Sequence, residues 1–559
     1  MVSTHRVVDH IIEQLAVHGV SHIFGVDGAN IEDLYDAAAL RTDITAVLAK
    51  HEFSAATMAD GYSRATSALG VVAATSGGGC LNLVAGLGES LASRVPVLAL
   101  VGQPPSTMDG RGSFQDTSGH NGSLDASALF AAVSVYCRRI LDPDDIGAAL
   151  PEAVAAARCG GPAVLLLPKD IQQGAVQSAP VRAPVNGRQL GDPGPIAARL
   201  RRAHGPVTII AGEQVARDDA RDELERLRAT LRARVATVPD AKDVSGAPGL
   251  GSSSALGVTG VMGHPGVARV IADSAACLLV GTRLSVTARA GLEDALATVP
   301  VLSLGCAVPY LPSTHVHTED LRASLRLLNT ALTGTGRPTG ISVPERIPRT
   351  ELSPPGHHGP GIRYRDAIDA LDHALPDGVD VVVDAGNSGA SAIHRLRARR
   401  DGRFLVALGM GGMGYSFGAG IGMCFARGRR TVVIAGDGAF FMHGLELHTA
   451  IQYRLPVTVV LFNNNAHAMC VTREQLFYGD RYSYNRFTAS RLGAGLAAMF
   501  PGLPSVDVTT PDALPAALHS ALAAAGPSVV NIECSADEIP TFAPFLTNQE
   551  VKEHVTARA

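Results

Sequence analysis

Short unbroken runs of Val, Ile and Leu recur through this chain, separated by Ala-rich stretches of helical spacing. Residues 22–26, 71–75, 97–101, 207–211, 277–280, 379–383, 431–435 and 457–462 are such runs. None alternates apolar with polar. A continuous apolar strand is buried on both faces, and strands of that kind belong to parallel sheets covered by helices. The pattern predicts an α/β chain of doubly wound parallel sheets.

Two stretches interrupt the pattern. Residues 174–195 and 333–361 are rich in Pro, Gly and charge, with no apolar period, and read as linkers. They divide the 559 residues into three blocks of ordinary domain size, 1–173, 192–333 and 360–545. The net charge of −5 offers no footprint for nucleic acid or an anionic membrane surface. No apolar run is long enough to span a bilayer. The N-terminal segment reads as an amphipathic helix broken by His, Asp, Glu and Gln rather than as a signal peptide. The eight Cys are scattered without metal-ligand spacing, which fits a reducing cytoplasm.

Gly436-Asp437-Gly438 ends the run 431–435, and Asn463-Asn464 ends the run 457–462. Between them Leu445, Leu447, Ile451 and Leu455 have helical spacing. A right-handed crossover makes the two strands parallel, so Asp437 and Asn464 share the carboxyl edge where open α/β sheets bind ligands. One carboxylate and one amide oxygen cannot cage a divalent ion. They suit a hard cation that completes its shell with water and a ligand's phosphates. In the first block, Glu52 follows a short apolar run and precedes a helix, and Thr75-Ser76-Gly77-Gly78-Gly79-Cys80-Leu81-Asn82 is a Gly-rich turn between strand and helix. By themselves Glu52 reads equally as a helix-terminal charge and the glycines as a tight turn.

The interval from Gly436-Asp437-Gly438 to Asn463-Asn464 resembles the motif of thiamine diphosphate enzymes, in which the Asp and the second Asn hold Mg²⁺ and the metal holds the cofactor's diphosphate. The resemblance implies that Asp437, Asn464 and the Ala466 carbonyl bind Mg²⁺. Residues 51–103 resemble the pyrimidine-binding domain of the same enzymes, which makes Glu52 the activating carboxylate. Leu408 to Tyr415 resembles the loop beneath the cofactor. There Met413 takes the position of the apolar wedge that bends it, and Gly411 that of the carbonyl accepting its amino group. The remaining cofactor contacts implied are Asn82, Asn387, Ser388, Gly438, Ala439, His467 and Met469. The family clamps the cofactor between the first domain of one subunit and the third of another, which implies a homodimer or homotetramer.

Met469 to Ser483, and Gly102-Gln103 with Phe114-Gln115-Asp116-Thr117, resemble acetohydroxyacid synthase catalytic subunits. This implies a decarboxylating carboligase: a 2-ketoacid donor, pyruvate, loses CO₂ and its remaining fragment is joined to an acceptor carbonyl. The chain departs from that family at three places. Arg473 stands where the family has a Trp, and this chain has no Trp at all. Thr287 stands where the family has an acceptor-binding Arg. A family Lys has no clear counterpart near residues 129–136. Relocated charge predicts an altered acceptor, with Gln115 and Arg473 on the substrate side and Arg289 a weaker anion binder.

His120, in a loop near Gln115, is a candidate acid/base group. His51 reads as a hydrogen-bonding neighbour of Glu52, and His357-His358 as incidental linker residues. In the middle block Gly257 to Gly263 and Arg283 echo flavin contacts of the family, but the acidic residue expected within 301–306 is missing. FAD, another nucleotide or an empty site all stay open. Two other readings compete with carboligation. One is a simple 2-ketoacid decarboxylase that releases an aldehyde. The other is a non-catalytic cofactor-binding subunit, which the joint presence of Glu52 and the metal motif argues against.

Overall fold

A computed structural model describes residues 5–176, 188–245, 255–334 and 349–546. Of the two expected linkers, residues 177–187 and 335–348 lie outside the described residues. Residues 188–193 and 349–361 carry neither helix nor strand.

The described chain forms three six-stranded parallel sheets flanked by helices. The first is built from β1 (His22–Val26), β2 (Thr45–Leu48), β3 (Gly70–Ala74), β4 (Val97–Gln103), β5 (Tyr136–Arg139) and β6 (Pro162–Pro168), in the order β2-β1-β3-β4-β6-β5. The second holds β7 (Val207–Ala211), β8 (Arg234–Thr237), β9 (Ala255–Val258), β10 (Ala276–Val280), β11 (Val301–Gly305) and β12 (Thr314–His317), in the order β12-β11-β10-β7-β8-β9. The third holds β13 (Asp380–Val383), β14 (Phe404–Val406), β15 (Thr431–Gly436), β16 (Val457–Asn463), β17 (Ser505–Val508) and β18 (Ser528–Glu533), in the order β14-β13-β15-β16-β18-β17. β4 and β6 are buried along their whole length, as continuous apolar runs require.

By internal packing the chain divides into two compact units. One comprises Met1–Gly187, Ala407–Gly428 and Phe441–Val457, and the other Arg188–Val406, Arg429–Phe440 and Thr458–Ala559. In the first unit the helix Glu52–Thr66 lies against the helix Tyr415–Arg427 at very short range. Glycine makes this possible: a Cβ on Gly422 would fall 2.0 Å from the Met58 carbonyl oxygen, and one on Gly418 2.5 Å from that of Ser54. In the second unit the core beneath the third sheet takes in Val258 and Met262 from the end of β9 and the loop after it. Among the described residues no helix is long and apolar enough to cross a membrane.

Candidate active site

The first unit carries the carboxylate. β2 delivers the chain to His51, whose ring nitrogen Nδ1 accepts the Phe53 amide at 3.1 Å and caps the helix Glu52–Thr66. The cap is therefore His51 and not Glu52. The Glu52 side chain is buried, and its Oε2 accepts the Asn82 side-chain amide at 2.9 Å. Gly79 lets the carboxylate come close, since a Cβ there would lie 3.1 Å from Glu52 Oε1. The Gly-rich turn thus accommodates a buried carboxyl group at a helix N-terminus.

Gln115 approaches the same turn. Its backbone is left-handed, with φ of 61°, an uncommon conformation for a non-glycine residue. Its Oε1 takes long bonds of 3.4 Å from the hydroxyls of Thr75 and Ser76, and Asn30 Nδ2 donates to Ser76 Oγ at 2.7 Å. Sequence reasoning missed Asn30, which has no neighbour in the chain to mark it. His120 is exposed, with its amide on Ser118 Oγ at 3.3 Å, and nothing joins its ring to Glu52.

The loop expected beneath the cofactor belongs to this unit too. Gly411 is left-handed, with φ of 65°, and Met413 is half-buried just before the helix Tyr415–Arg427. Glu89, also missed in the sequence, organises this loop. Its carboxylate accepts the amides of Gly409 at 3.2 Å, Met410 at 2.6 Å and Gly411 at 3.4 Å. Arg64 reaches Glu89 at 3.2 Å and Asp60 at 2.7 Å, and Tyr415 donates its hydroxyl to Asp60. Burial would raise the Glu89 carboxyl, but Arg64 and the Met410 amide outweigh it and hold the group below its ordinary value. The only signal in the sequence was a charged residue on an otherwise small and apolar helix.

The second unit carries Asp437 and Asn464. Asp437 follows β15 directly, and Asn464 follows β16, its neighbour in the sheet. Asp437 is buried, and its Oδ2 accepts the Ala466 amide at 3.1 Å. Its Oδ1 and the Oδ1 of Asn464 are both buried without a hydrogen-bond partner among the described residues. Burial pushes the Asp437 carboxyl up to about 6, although the amides of Gly438 and Ala466 pull it back. Two buried oxygens without a partner at adjacent strand ends have the chemistry that a hard cation favours. Among the described residues no group of three or more His, Cys, Asp and Glu could hold a metal by itself. A cation held by these two oxygens would need further ligands to complete its shell.

The surrounding loop is fixed. Asn463 Nδ2 donates to the Ser490 carbonyl at 2.9 Å, and Asn465, left-handed with φ of 53°, accepts the Ser490 amide at 2.9 Å. Gly438 and Ala439 are buried in the first turn of the helix after β15. Asn387 opens the helix Asn387–Arg395, and its side-chain oxygen and nitrogen are both buried without a partner among the described residues. Ser388 is buried beside it in the chain. His467 precedes the helix Ala468–Phe477, and its Nδ1 is likewise buried and unpartnered among the described residues. Unpaired polar atoms of this kind suit phosphate or ring contacts of a bound cofactor. Met469 packs on the core of the third sheet. Arg473 is exposed, with its guanidinium 5.9 Å from the Phe545 ring. Arg289 is engaged elsewhere: it donates to the Tyr310 carbonyl at 2.8 Å and faces Glu293 at 3.8 Å.

The first unit thus offers a buried carboxyl group beside a Gly-rich turn, and the second an Asp–Asn oxygen pair at a sheet edge without a hydrogen-bond partner among the described residues. Comparison with known proteins identifies the family. The N-terminal TPP binding domain of thiamine pyrophosphate (diphosphate) enzymes matches residues 5–123, their central domain residues 195–300, and their C-terminal TPP binding domain residues 384–532. The chain belongs to the thiamine pyrophosphate enzymes, and within them it is acetolactate synthase-like.

Its relatives align over nearly full length. The acetolactate synthase isozyme 2 large subunit of Escherichia coli is 28% identical over 98% of this chain and 99% of its own length. The probable acetolactate synthase large subunit of Methanocaldococcus jannaschii is 27% identical over 96% of this chain and 93% of its own. An acetolactate synthase of Arthrospira platensis is 27% identical over 97% and 96%.

Proposed function

We propose that this enzyme decarboxylates a 2-ketoacid, pyruvate, and joins the remaining fragment to an acceptor carbonyl, with an acceptor preference different from that of its acetolactate synthase relatives. The observation that carries the reading is the pair of unpartnered oxygens, Asp437 Oδ1 and Asn464 Oδ1, at neighbouring strand ends. With the Ala466 carbonyl they would hold Mg²⁺, and through it the diphosphate. Bound thiamine diphosphate supplies a nucleophilic carbon and a sink for the electrons released when CO₂ leaves.

The chain's own groups do the rest. Glu52, held by Asn82, would exchange a proton with the pyrimidine ring of the cofactor and so activate it. Met413 and Gly411, on the loop that Glu89 clamps, would hold the bent cofactor. Asn387, Ser388, Gly438, Ala439, His467 and Met469 would line the diphosphate end. Gln115, in its left-handed conformation, would face the donor. Arg473 would meet an acceptor bearing a carboxylate or phosphate, and His120 stays a candidate for proton transfer in that step. The domains are taken as 1–173, 192–333 and 360–545, and the active form as a homodimer or homotetramer in the cytoplasm.

The middle sheet does not fit a flavin dinucleotide. Its order makes the crevice beyond β7 and β10 the place for a diphosphate. There the chain makes close contacts with itself. A Cβ on Gly212 would lie 2.4 Å from Thr282 Cβ. Gln214 Oε1 accepts the Cys306 amide at 2.8 Å, and Gln214 Nε2 donates to the Thr318 carbonyl at 3.1 Å. Arg283, expected to meet flavin, stacks on Tyr310 at 4.0 Å instead. The visible absorption of the purified enzyme checks this, with no flavin bands expected.

Mass spectrometry of the products from pyruvate with a panel of aldehydes, ketones and 2-ketoacids tests the main reading. Coupled products with an acceptor preference different from that of the acetolactate synthase relatives are expected. Acetaldehyde alone would identify a simple decarboxylase, and efficient acetolactate formation would remove the claim of altered specificity.

A further inference from the structure

We propose that Tyr364 is a positioning residue of the cation site, and that its phenol oxygen decides which end of the Asn464 amide faces the metal. The inference rests on the cofactor reading above and deepens it.

A carboxamide has two ends of nearly equal shape, and only the oxygen end binds a hard cation. Something must prevent the amide from presenting its NH₂ group. Asn464 Nδ2 donates to Tyr364 Oη at 2.9 Å. The phenol in turn donates its single hydrogen to the buried Ser535 carbonyl at 3.4 Å, so the side facing Asn464 is a lone pair that must accept. Reversing the amide would set two acceptor oxygens against each other. The phenol could relieve that only by turning its hydrogen away from Ser535, which would leave a buried carbonyl unpaired.

The phenol is held so that it cannot swing away. Tyr364 is 1% exposed. Its ring stacks on that of Phe462 in β16, at 5.9 Å between centroids and 28° between planes. Its backbone amide donates to Glu538 Oε2 at 3.0 Å. The consequence is the observed geometry: Asn464 Oδ1 is left buried and without a partner among the described residues, as is Asp437 Oδ1 at the end of the adjacent strand. Neighbours that orient ligands in this way typically change metal affinity by about 10- to 100-fold when removed.

The test is a pair of Mn²⁺ titrations followed by electron paramagnetic resonance, with thiamine diphosphate present and without substrate. Tyr364→Phe keeps the ring and deletes only the oxygen. It should weaken Mn²⁺ binding by about 10- to 100-fold, while the melting temperature of the cofactor-free protein shows that the fold is kept. The second titration repeats the change in an Asn464→Asp background. A carboxylate has two equivalent oxygens and no wrong end, so there Tyr364→Phe should leave Mn²⁺ affinity nearly unchanged. Equal weakening in both backgrounds would overturn the proposal in favour of simple packing, and so would a Tyr364→Phe protein that binds Mn²⁺ like the wild type. A wild-type protein that binds no Mn²⁺ with thiamine diphosphate would overturn the cofactor reading itself, and this inference with it.

Discussion

Asn82, in the helix Gly78–Ala92, donates its side-chain amide at 2.9 Å to Oε2 of Glu52, the first residue of the helix Glu52–Thr66. The bond holds a buried carboxylate at one angle and leaves its other oxygen to act. Asn82→Ala should lower kcat by about 10- to 100-fold, the range expected for losing a hydrogen bond to a charged group. KM for the donor should change less. Steady-state kinetics at saturating cofactor check it. An unchanged kcat would mean that Glu52 needs no such support.

The unpaired oxygens of Asp437 and Asn464 predict strict metal dependence. Removing divalent ions with a chelator should abolish activity, and Mg²⁺ added with thiamine diphosphate should restore it. Asp437→Ala should prevent that restoration, because it deletes the carboxylate that follows β15 and carries an unpartnered buried oxygen among the described residues. It should also remove the thermal stabilisation that cofactor and metal together give the wild type. A shift in melting temperature on cofactor addition that matches the wild type would contradict this.

His264 and His394 stack at 4.6 Å between ring centroids, in the second unit. Leu352 N–H donates to His394 Nε2 at 3.2 Å, so His394 Nδ1 carries the hydrogen and donates to the Met262 carbonyl at 3.1 Å. Burial, with nearby Lys242, pushes His264 down to about 3 and His394 down to about 4, from an ordinary value of 6.5. Both are neutral in the fold, whereas the unfolded chain takes up protons below 6.5. Their contribution to stability is complete above that value and is lost as the pH falls toward 4. The melting temperature of the cofactor-free protein should therefore drop across this window, and less steeply in His394→Gln.

The close helix crossing gives a stability prediction. A Cβ on Gly422 would meet the Met58 carbonyl oxygen at 2.0 Å, whereas one on Gly495 would meet nothing within 4 Å. Gly422→Val should destabilise by about 1–3 kcal/mol or more. Gly495→Ala, at an exposed position of the helix Leu492–Met499, should stabilise by roughly 0.5–1 kcal/mol. Denaturant titrations measure both.

Arg473 lies exposed near Phe545. Arg473→Trp should shift the acceptor profile toward 2-ketobutyrate, read as a ratio of products in competition. An unchanged ratio would remove Arg473 from the acceptor site.

The strands buried on both faces were legible because burial demands an unbroken apolar run, as in β4, β7, β15 and β16. Edge strands were harder to read. β5 is Tyr-Cys-Arg-Arg and β12 is Thr-His-Val-His, half-exposed throughout, with little apolar pattern. The helix expected after Gly436-Asp437-Gly438 begins earlier than its apolar spacing suggested, at Asp437, and a second short helix, Leu447–Gln452, follows. Asp437 and Asn464 stood out because each follows such a strand, and Glu52 because it stands between the short run of β2, an edge strand, and a helix. Tyr364 could not be read, because it lies 100 residues from the side chain it orients and only the fold brings the two together. Glu89 and Arg64 escaped for the same reason, as buried charges that pair across helices 25 residues apart.

The central claim is that Glu52 activates a cofactor held by Asp437 and Asn464. The most direct test follows [2-¹³C]pyruvate by NMR with wild-type and Glu52→Gln enzyme, each with and without thiamine diphosphate and Mg²⁺. The account predicts label in a new carbon–carbon bond only for wild type with both additions, and a loss of roughly 10²- to 10⁴-fold in Glu52→Gln. Coupling without the additions, or an undiminished rate in Glu52→Gln, would contradict it.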